Sequence, residues 1–231
     1  MDKIAIIVAA GAGTRMGSDL PKQFLLLAGK PIILYTIEAF IQAVPGIKII
    51  LVLPQNQLAY CKTLVQNQAY KDQLTFTAGG NTRFQSVSHG LALVPEGSLV
   101  AVHDGVRCLI TPDLIKRSFA GAASKGSAIP VVPASDSLRE IVPQKEGQTS
   151  HSLDRENIRM VQTPQSFKST LLKKAFASPY QNSFTDEASV VEAMGQPVYL
   201  MEGDPKNIKI TRPFDLIVAE AVLQQRATQR Q

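Results

Sequence analysis

The 231 residues suffice for one large α/β domain or two small ones, and 45% hydrophobic against 19% charged side chains is an ordinary globular balance. The longest apolar runs span about seven residues, against roughly 20 for a spanning helix, which argues against a membrane partner. The net charge of +5 is spread without a basic block and with only 6% aromatics, which argues against nucleic acid and suits a compact polyanion such as a nucleotide.

No charged n-region followed by an apolar stretch opens the chain, since "MDKIAIIVAAGAG" runs straight into a strand and loop. Cys61 and Cys108 stand at neither metal nor redox spacing, and a pair of free thiols suits a reducing compartment. A cytoplasmic location is expected.

In chain order, "IAIIVAA" (4–10) predicts a strand, and a glycine-rich loop follows it. A helix over 31–44 carries Ile33, Ile37, Phe40, Ile41 and Val44 on one stripe. Strand 47–53, helix 55–69 and strand 74–78 come next. The stretch 82–94 then places Phe84, Val87, Leu91 and Val94 on a second helical stripe. Strand 98–104, helix 112–125 and strand 127–132 continue the alternation. After a break come helices 168–177 and 186–194, strands 197–202 and 207–211, and helix 214–225. Short, nearly continuous apolar strands alternating with helices predict a doubly wound α/β domain around a mostly parallel sheet.

The break is the polar segment 134–157, with a turn signal at "PQKEG" and only Leu138, Ile141, Val142 and Leu153 to bury. A hairpin with so little apolar surface is marginal alone. Either it is a flexible loop or it is an arm that packs on another subunit, and the arm is the reading adopted.

Open α/β sheets bind ligands beyond the carboxyl ends of their strands. After the first strand comes "VAAGAGTRMGSDLPKQF". It fails the dinucleotide fingerprint, because Met16 stands where the third glycine belongs, and it lacks the Walker lysine spacing. Its glycines still let backbone N–H groups approach phosphate oxygens. Within it Arg15 can fork onto two oxygens and Lys22 adds a point charge, so the pair suggests stabilisation of a charged transition state. The alternative is a plain turn with two solvated cations.

Other strand ends bring Gly79, Gly80, Asn81, Thr82 and Arg83, then His103, Asp104, Gly105 and Arg107, and finally Lys209 with Thr211 and Arg212. Arg15, Lys22, Arg83, Arg107 and Lys209, with the carboxylate of Asp104, thus meet on one rim. Asp104 is either a turn cap or the carboxylate that holds a hard cation bridging phosphates. His103 reads as a strand-end residue, since no His or Cys lies at ligand spacing, and His89 and His151 read as structural or surface residues. Thr82 caps a helix whose first turns hold Arg83 and Ser86, with Arg83 off the apolar stripe and free to face a ligand. Thr185 reads as an N-cap, with Asp186 and Glu187 stabilising the helix dipole.

The segments "AAGAGTRMGSDLPKQF", "GGNTRFQSV", "HDGVRC", "LDREN", "TPQSF", "TDEAS" and "NIKITRPFDL" occur in the order and spacing of a known family. From about Ile4 to Leu216 the chain resembles the 2-C-methyl-D-erythritol 4-phosphate cytidylyltransferases of the non-mevalonate isoprenoid pathway. The resemblance implies CTP and methylerythritol phosphate as substrates, Mg²⁺ as the metal, and a Rossmann-like single domain over 1–231. Its 134–157 arm would be exchanged in a homodimer. Arg15 and Lys22 would then stabilise charge on the α-phosphate, and Arg155 and Lys209 would position the attacking phosphate. Arg107, Thr163 and Thr185 would complete the acceptor pocket, with Ser137 reaching it from the partner's arm. The CTP side would comprise Ala9, Ala10, Gly11, Ala12, Gly13, Thr14, Gly80, Asn81, Arg83, Ser86, Asp104 and Gly105.

Two departures stand out. The family's "HDAARP" reads Gly105, Val106 and Cys108 at the changed positions, which touches the shape of the loop while Arg107 remains. Ser137 replaces a threonine and keeps the hydroxyl. A phosphomonoester already carries about −1.5 to −2 charges at pH 7 and needs no base to attack. Cations that neutralise and align two polyanions are therefore what the chemistry requires.

The nearest rival is a ribitol 5-phosphate cytidylyltransferase, whose acceptor is also a small polyol phosphate. A non-catalytic nucleotide- or RNA-binding module is disfavoured by Lys22 and Lys209, since binding alone does not call for charges on both sides of one phosphorus. A nicotinamide-dependent reductase is disfavoured by Met16 and by Pro54-Gln55 where the second strand would need an acid.

Overall fold

The computed structural model describes residues 1–11, 20–143 and 148–229. The first apolar run forms β1 (Lys3–Val8), and a small ribbon of β2 (Leu26–Leu27) and β3 (Lys30–Pro31) leads into α1 (Ile32–Ala43). Then follow β4 (Lys48–Leu53), α2 (Leu58–Val65), β5 (Leu74–Ala78), α3 (Arg83–Leu91) and β6 (Leu99–Asp104). Helix α4 (Pro112–Lys125) returns to β7 (Ser127–Pro133), and β8 (Leu138–Pro143) with β9 (Gln148–Leu153) forms a separate hairpin. The chain ends with β10 (Arg159–Val161), β11 (Gln165–Lys168), α5 (Ser169–Phe176), α6 (Glu187–Ala193), β12 (Leu200–Glu202) and α7 (Pro213–Thr228).

The main sheet has the order β10-β7-β11-β6-β1-β4-β5, with β12 on β7. Strands β6, β1, β4 and β5 pair in parallel and β12 is parallel to β7, whereas β10 and β11 run antiparallel to β7. The chain winds outward from β1 to β4 and β5, then crosses back to β6 on the other side of β1. That reversal is the switch point at which open sheets leave a crevice for ligand.

Successive residues of the central strands serve opposite faces. Ala5, Ile7, Ile49 and Leu51 pack with Ile37 and Phe40 of α1 and Phe119 of α4. Ile4, Ile6, Ile50 and Val52 pack with Val87 and Leu91 of α3 and Leu172 of α5. Helix α3 lies so close that a Cβ on Gly90 would stand 2.7 Å from Cγ2 of Ile6, so the residue at this crossing must be glycine. A third cluster joins Val106, Cys108 and Leu109 to Ile210 and to Ala219 of α7. It sets the loop after β6 against the 206–211 segment.

Three expectations need correction. Residues 207–211 form no strand. Their backbone is held by single bonds, from Asn207 N–H to the Asp204 carbonyl and from Ile210 N–H to the Val106 carbonyl. The expected strand 197–202 shortens to β12. Conversely, β11 was not expected, because Gln165 and Ser166 look like loop residues. Both are fully buried, with Gln165 bonded to Asp186 and to the Ala188 N–H, and Ser166 to Ser118. Buried polar groups satisfied in this way cost little.

Candidate active site

Two adjacent cavities open at the switch point. The first, of about 220 Å³, lies between the end of β1 and the start of α3, with Ala9, Ala10, Gly11, Lys22, Asn81 and Ser86 on its walls. The second, of about 230 Å³, is bounded by Arg107, Thr163, Gln165 and Thr185. Arg83, Asp104 and Lys209 line both. A carboxylate and two cations therefore form the partition between two compartments.

The first compartment owes its shape to a close approach. Gly79 packs so tightly that a Cβ there would fall 2.3 Å from that of Ala10 and 2.9 Å from Oγ of Ser86. The N–H of Gly80 donates to the Ser86 hydroxyl at 3.1 Å, and that hydroxyl donates to the Thr82 carbonyl at 2.9 Å. Thr82 caps α3 as expected, its hydroxyl accepting the Gln85 N–H while the Gln85 side chain returns to the cap. On the opposite wall Gln23, almost wholly buried, donates to the Ala9 carbonyl at 2.9 Å. Gln23 thereby pins the turn that carries Lys22. Only its place in "PKQF" hinted at this role. Gly105 lies behind the cavity, its N–H on the Val8 carbonyl.

Asp104 is a hub of charge and not a turn cap. Its carboxylate lies 2.9 Å from Nζ of Lys209, 3.4 Å from Nη2 of Arg83 and 3.5 Å from Nε of Arg107. Burial alone would raise its pKa, but Arg83, Lys209 and Arg107 outweigh that and hold it well below the usual carboxylate range. Lys22 lines the first cavity with Asp104 and Lys209 and donates to the Ile210 carbonyl at 3.2 Å. A cation 188 positions away in sequence is thus bonded to the residue that follows Lys209.

Arg83 faces both cavities, as expected, but it is held there by a buried partner that the sequence did not indicate. Both oxygens of Glu187 accept from its guanidinium, Oε1 from Nη1 and Oε2 from Nη2. Burial lowers the Arg83 pKa, and Glu187 and Asp104 more than reverse this, so the group stays charged. The N-cap of α6 is Asp186 and not Thr185, because Asp186 Oδ1 accepts the Ser189 N–H at 2.9 Å. Glu187 stands in the first turn of α6, as expected for an acid at the helix dipole, and is fully buried.

His103 is structural, as expected. Its Nε2 faces the Arg107 carbonyl at 3.2 Å, which can only accept, so Nε2 carries the hydrogen and Nδ1 accepts from the Thr163 hydroxyl at 2.9 Å. Thr163 in turn accepts the Asp104 N–H at 3.1 Å. Burial first, then Arg107, pushes the imidazole down to about 4, with Asp104 opposing. Asn207 donates to the Thr163 carbonyl, and its own carbonyl accepts from Arg107. One network thus fixes Asp104, Arg107 and Thr163 together.

Arg155 and Ser137 lie elsewhere, at the base of the hairpin, and neither lines a cavity described above; Arg155 is half exposed and donates to the Ser135 carbonyl. Arg15, Ala12, Gly13 and Thr14 fall outside the described residues. Thr211 and Arg212 serve α7, their N–H groups donating to Asp215. His89 and His151 are exposed.

The family description 2-C-methyl-D-erythritol 4-phosphate cytidylyltransferase (IspD) matches residues 3–225. The chain belongs to this family. It is 46% identical over 223 residues to the enzyme so named from Bacteroides thetaiotaomicron, covering 96% of this chain and all of that one. The Bacteroides fragilis relative is 45% identical over the same length. Among solved structures, the Francisella tularensis cytidylyltransferase superposes with a TM-score of 0.77 at 33% identity, covering 96% and 99% of the two chains. The 4-diphosphocytidyl-2C-methyl-D-erythritol synthase of Anaerococcus prevotii gives a TM-score of 0.80 at 26% identity, covering 96% and 98%. The α/β class and the nucleotidyltransferase activity follow. The family's altered loop finds its explanation in the third cluster, since Val106 and Cys108 are buried there and Val106 anchors Ile210. Burial pushes the Cys108 thiol up to about 12, which leaves it inert.

Proposed function

We infer that the chain joins CTP to 2-C-methyl-D-erythritol 4-phosphate, giving 4-diphosphocytidyl-2-C-methyl-D-erythritol and pyrophosphate for isoprenoid biosynthesis. The observation that carries this reading is the shared partition of Arg83, Asp104 and Lys209 between two compartments. A phosphate oxygen of the acceptor attacks the α-phosphorus of CTP as the bond to the β-phosphate oxygen breaks, and pyrophosphate leaves. No proton need be removed from the acceptor, so the site needs cations and not a base.

The first compartment takes CTP, with backbone groups from Ala9 to Thr14 and at Gly80 and Asn81 meeting the triphosphate and base, helped by Ser86 and Gly105. Arg15 and Lys22 stabilise the charge that builds on the α-phosphate. The second takes the acceptor, with Arg107, Thr163 and Thr185 around it and Lys209 presenting its phosphate to the partition. Lys209 keeps 38% of its side chain exposed, so it can exchange Asp104 for a phosphate oxygen.

Mg²⁺ fits this donor set in one way. Among the described residues no cluster of His, Cys, Asp and Glu could enclose a metal, and Asp104 is the carboxylate on the partition. An ion that takes one protein carboxylate, and fills its remaining positions with phosphate oxygens and water, suits such a site. Bound there it would neutralise triphosphate charge.

We also propose a homodimer through the 134–157 arm. Ile141 and Val142 on the hairpin and Met160 and Val161 on β10 are exposed, at 51%, 38%, 49% and 42%. A partner would cover them and bring Arg155 and Ser137 to the neighbouring acceptor compartment. A single domain over 1–231 and a cytoplasmic location complete the reading. Its support is that no described helix is long and apolar enough to cross a membrane, and that both cysteines are free and buried.

The test is pyrophosphate release from CTP with methylerythritol phosphate and with ribitol 5-phosphate, side by side. Turnover with the former is expected. Turnover with ribitol phosphate alone would replace the acceptor, and none with either would refute the activity.

A further inference from the structure

Glu187 presents a puzzle for a site that gathers polyanions. It is fully buried at the first turn of α6 and bonded to Arg83, which lines both compartments. A buried carboxylate opposes such binding unless something compensates it. Its compensation is specific, because both oxygens are bonded to the two terminal nitrogens of Arg83.

Arg83 also touches Asp104. Three cations compete for Asp104, and only Lys209 is at close range, at 2.9 Å against 3.4 Å for Arg83 and 3.5 Å for Arg107. Arg83 reaches Asp104 with the edge of one nitrogen, since its fork is spent on Glu187. Were that fork released, it would close on both oxygens of Asp104, as an arginine fork does on a carboxylate. Lys209 would then lose its partner and its position on the partition.

We propose that Glu187 is a positioning residue for the reaction: by clamping Arg83 it reserves Asp104 for Lys209 and so holds the Lys209 ammonium between the two compartments. The role deepens the cytidylyl-transfer reading and rests on it. Glu187 touches no substrate and acts through Arg83.

The experiment compares the full-length wild type with Glu187→Gln, Glu187→Asp, Arg83→Gln and the Arg83→Gln/Glu187→Gln pair. Each is assayed for kcat and both KM values in pyrophosphate release, with thermal melts alongside. An inactive wild type would overturn the activity and not this inference. With an active wild type, Glu187→Gln is expected to melt cooperatively and to lose kcat by about tenfold or more, the order expected for a misplaced reacting group. The loss should vanish in the Arg83→Gln background, the double variant turning over no more slowly than Arg83→Gln alone. A kcat within twofold of wild type, or a loss that adds fully to that of Arg83→Gln, would overturn the inference. Should Glu187→Gln fail to fold, Glu187→Asp keeps a charge opposite Arg83 but withdraws it by one methylene. A severalfold loss of kcat is expected there, and unchanged kcat would contradict the clamp.

Discussion

The ammonium of Lys209 meets the carboxylate of Asp104 at 2.9 Å, joining the segment before α7 to the end of β6. This contact fixes a mobile point charge on the wall between two cavities. Replacing Lys209 by Met removes the charge and leaves Asp104 to Arg83 and Arg107. Turnover is expected to fall on the order of 10², as for loss of a single transition-state donor, with little change in the melting temperature. Pyrophosphate release measures it, and near-normal turnover would remove Lys209 from the mechanism.

Lys22 lines the first cavity, anchored through the Ile210 carbonyl at 3.2 Å. Lys22→Ala is expected to lower kcat on the order of 10² or more. Steady-state kinetics at saturating CTP test this, and a change confined to KM for CTP would make Lys22 a binding group alone.

Arg155 stands at the hairpin base, away from both cavities of its own chain. If a partner's compartment receives it, Arg155→Ala raises KM for the acceptor and spares that for CTP. Mixing Lys22→Ala with Arg155→Ala subunits then restores activity, because each mixed dimer holds one intact site, roughly a quarter of the wild-type sites under random pairing. Mixtures no more active than their components would place Arg155 in its own chain's site, or in none.

His103 links stability to pH. Its folded pKa of about 4 lies below the ordinary 6.5, so the unfolded chain binds the extra proton. The contribution is whole above pH 6.5 and shrinks as the pH falls toward 4, amounting to about 2 kcal/mol lost by pH 5. Glu187, raised chiefly by burial, acts in the opposite sense, but it is common to wild type and variant. Denaturant titrations at pH 7 and pH 5 should therefore show a larger drop for the wild type than for His103→Gln. Equal drops would mean that His103 is not neutral in the fold.

Much of this was legible in the sequence because the parallel strands are continuous apolar runs bounded by glycine turns. The strand ends named the rim, and Lys22, Arg83, Asp104, Arg107 and Lys209 do meet there. What escaped were polar residues in apolar places. Gln165 and Ser166 hide a strand at the centre of the sheet, because their partners come from α6 and α4, far away in sequence. Glu187 looked like any acid in a first helical turn, and nothing local points to Arg83. The "NIKIT" segment has strand composition, yet its apolar residue Ile210 packs with Val106 and Cys108 under α7 and joins no ladder. Pattern reports which residues are buried, while the partner of a buried charge is decided by tertiary structure.

The most direct measurement is a crystal structure with CTP, Mg²⁺ and methylerythritol phosphate bound. The α-phosphorus is expected between Lys22 and Lys209, with the acceptor phosphate on the Thr163 side of the Arg83–Asp104 partition. A CTP triphosphate lodged beyond hydrogen-bond reach of both lysines would contradict catalysis by converging cations.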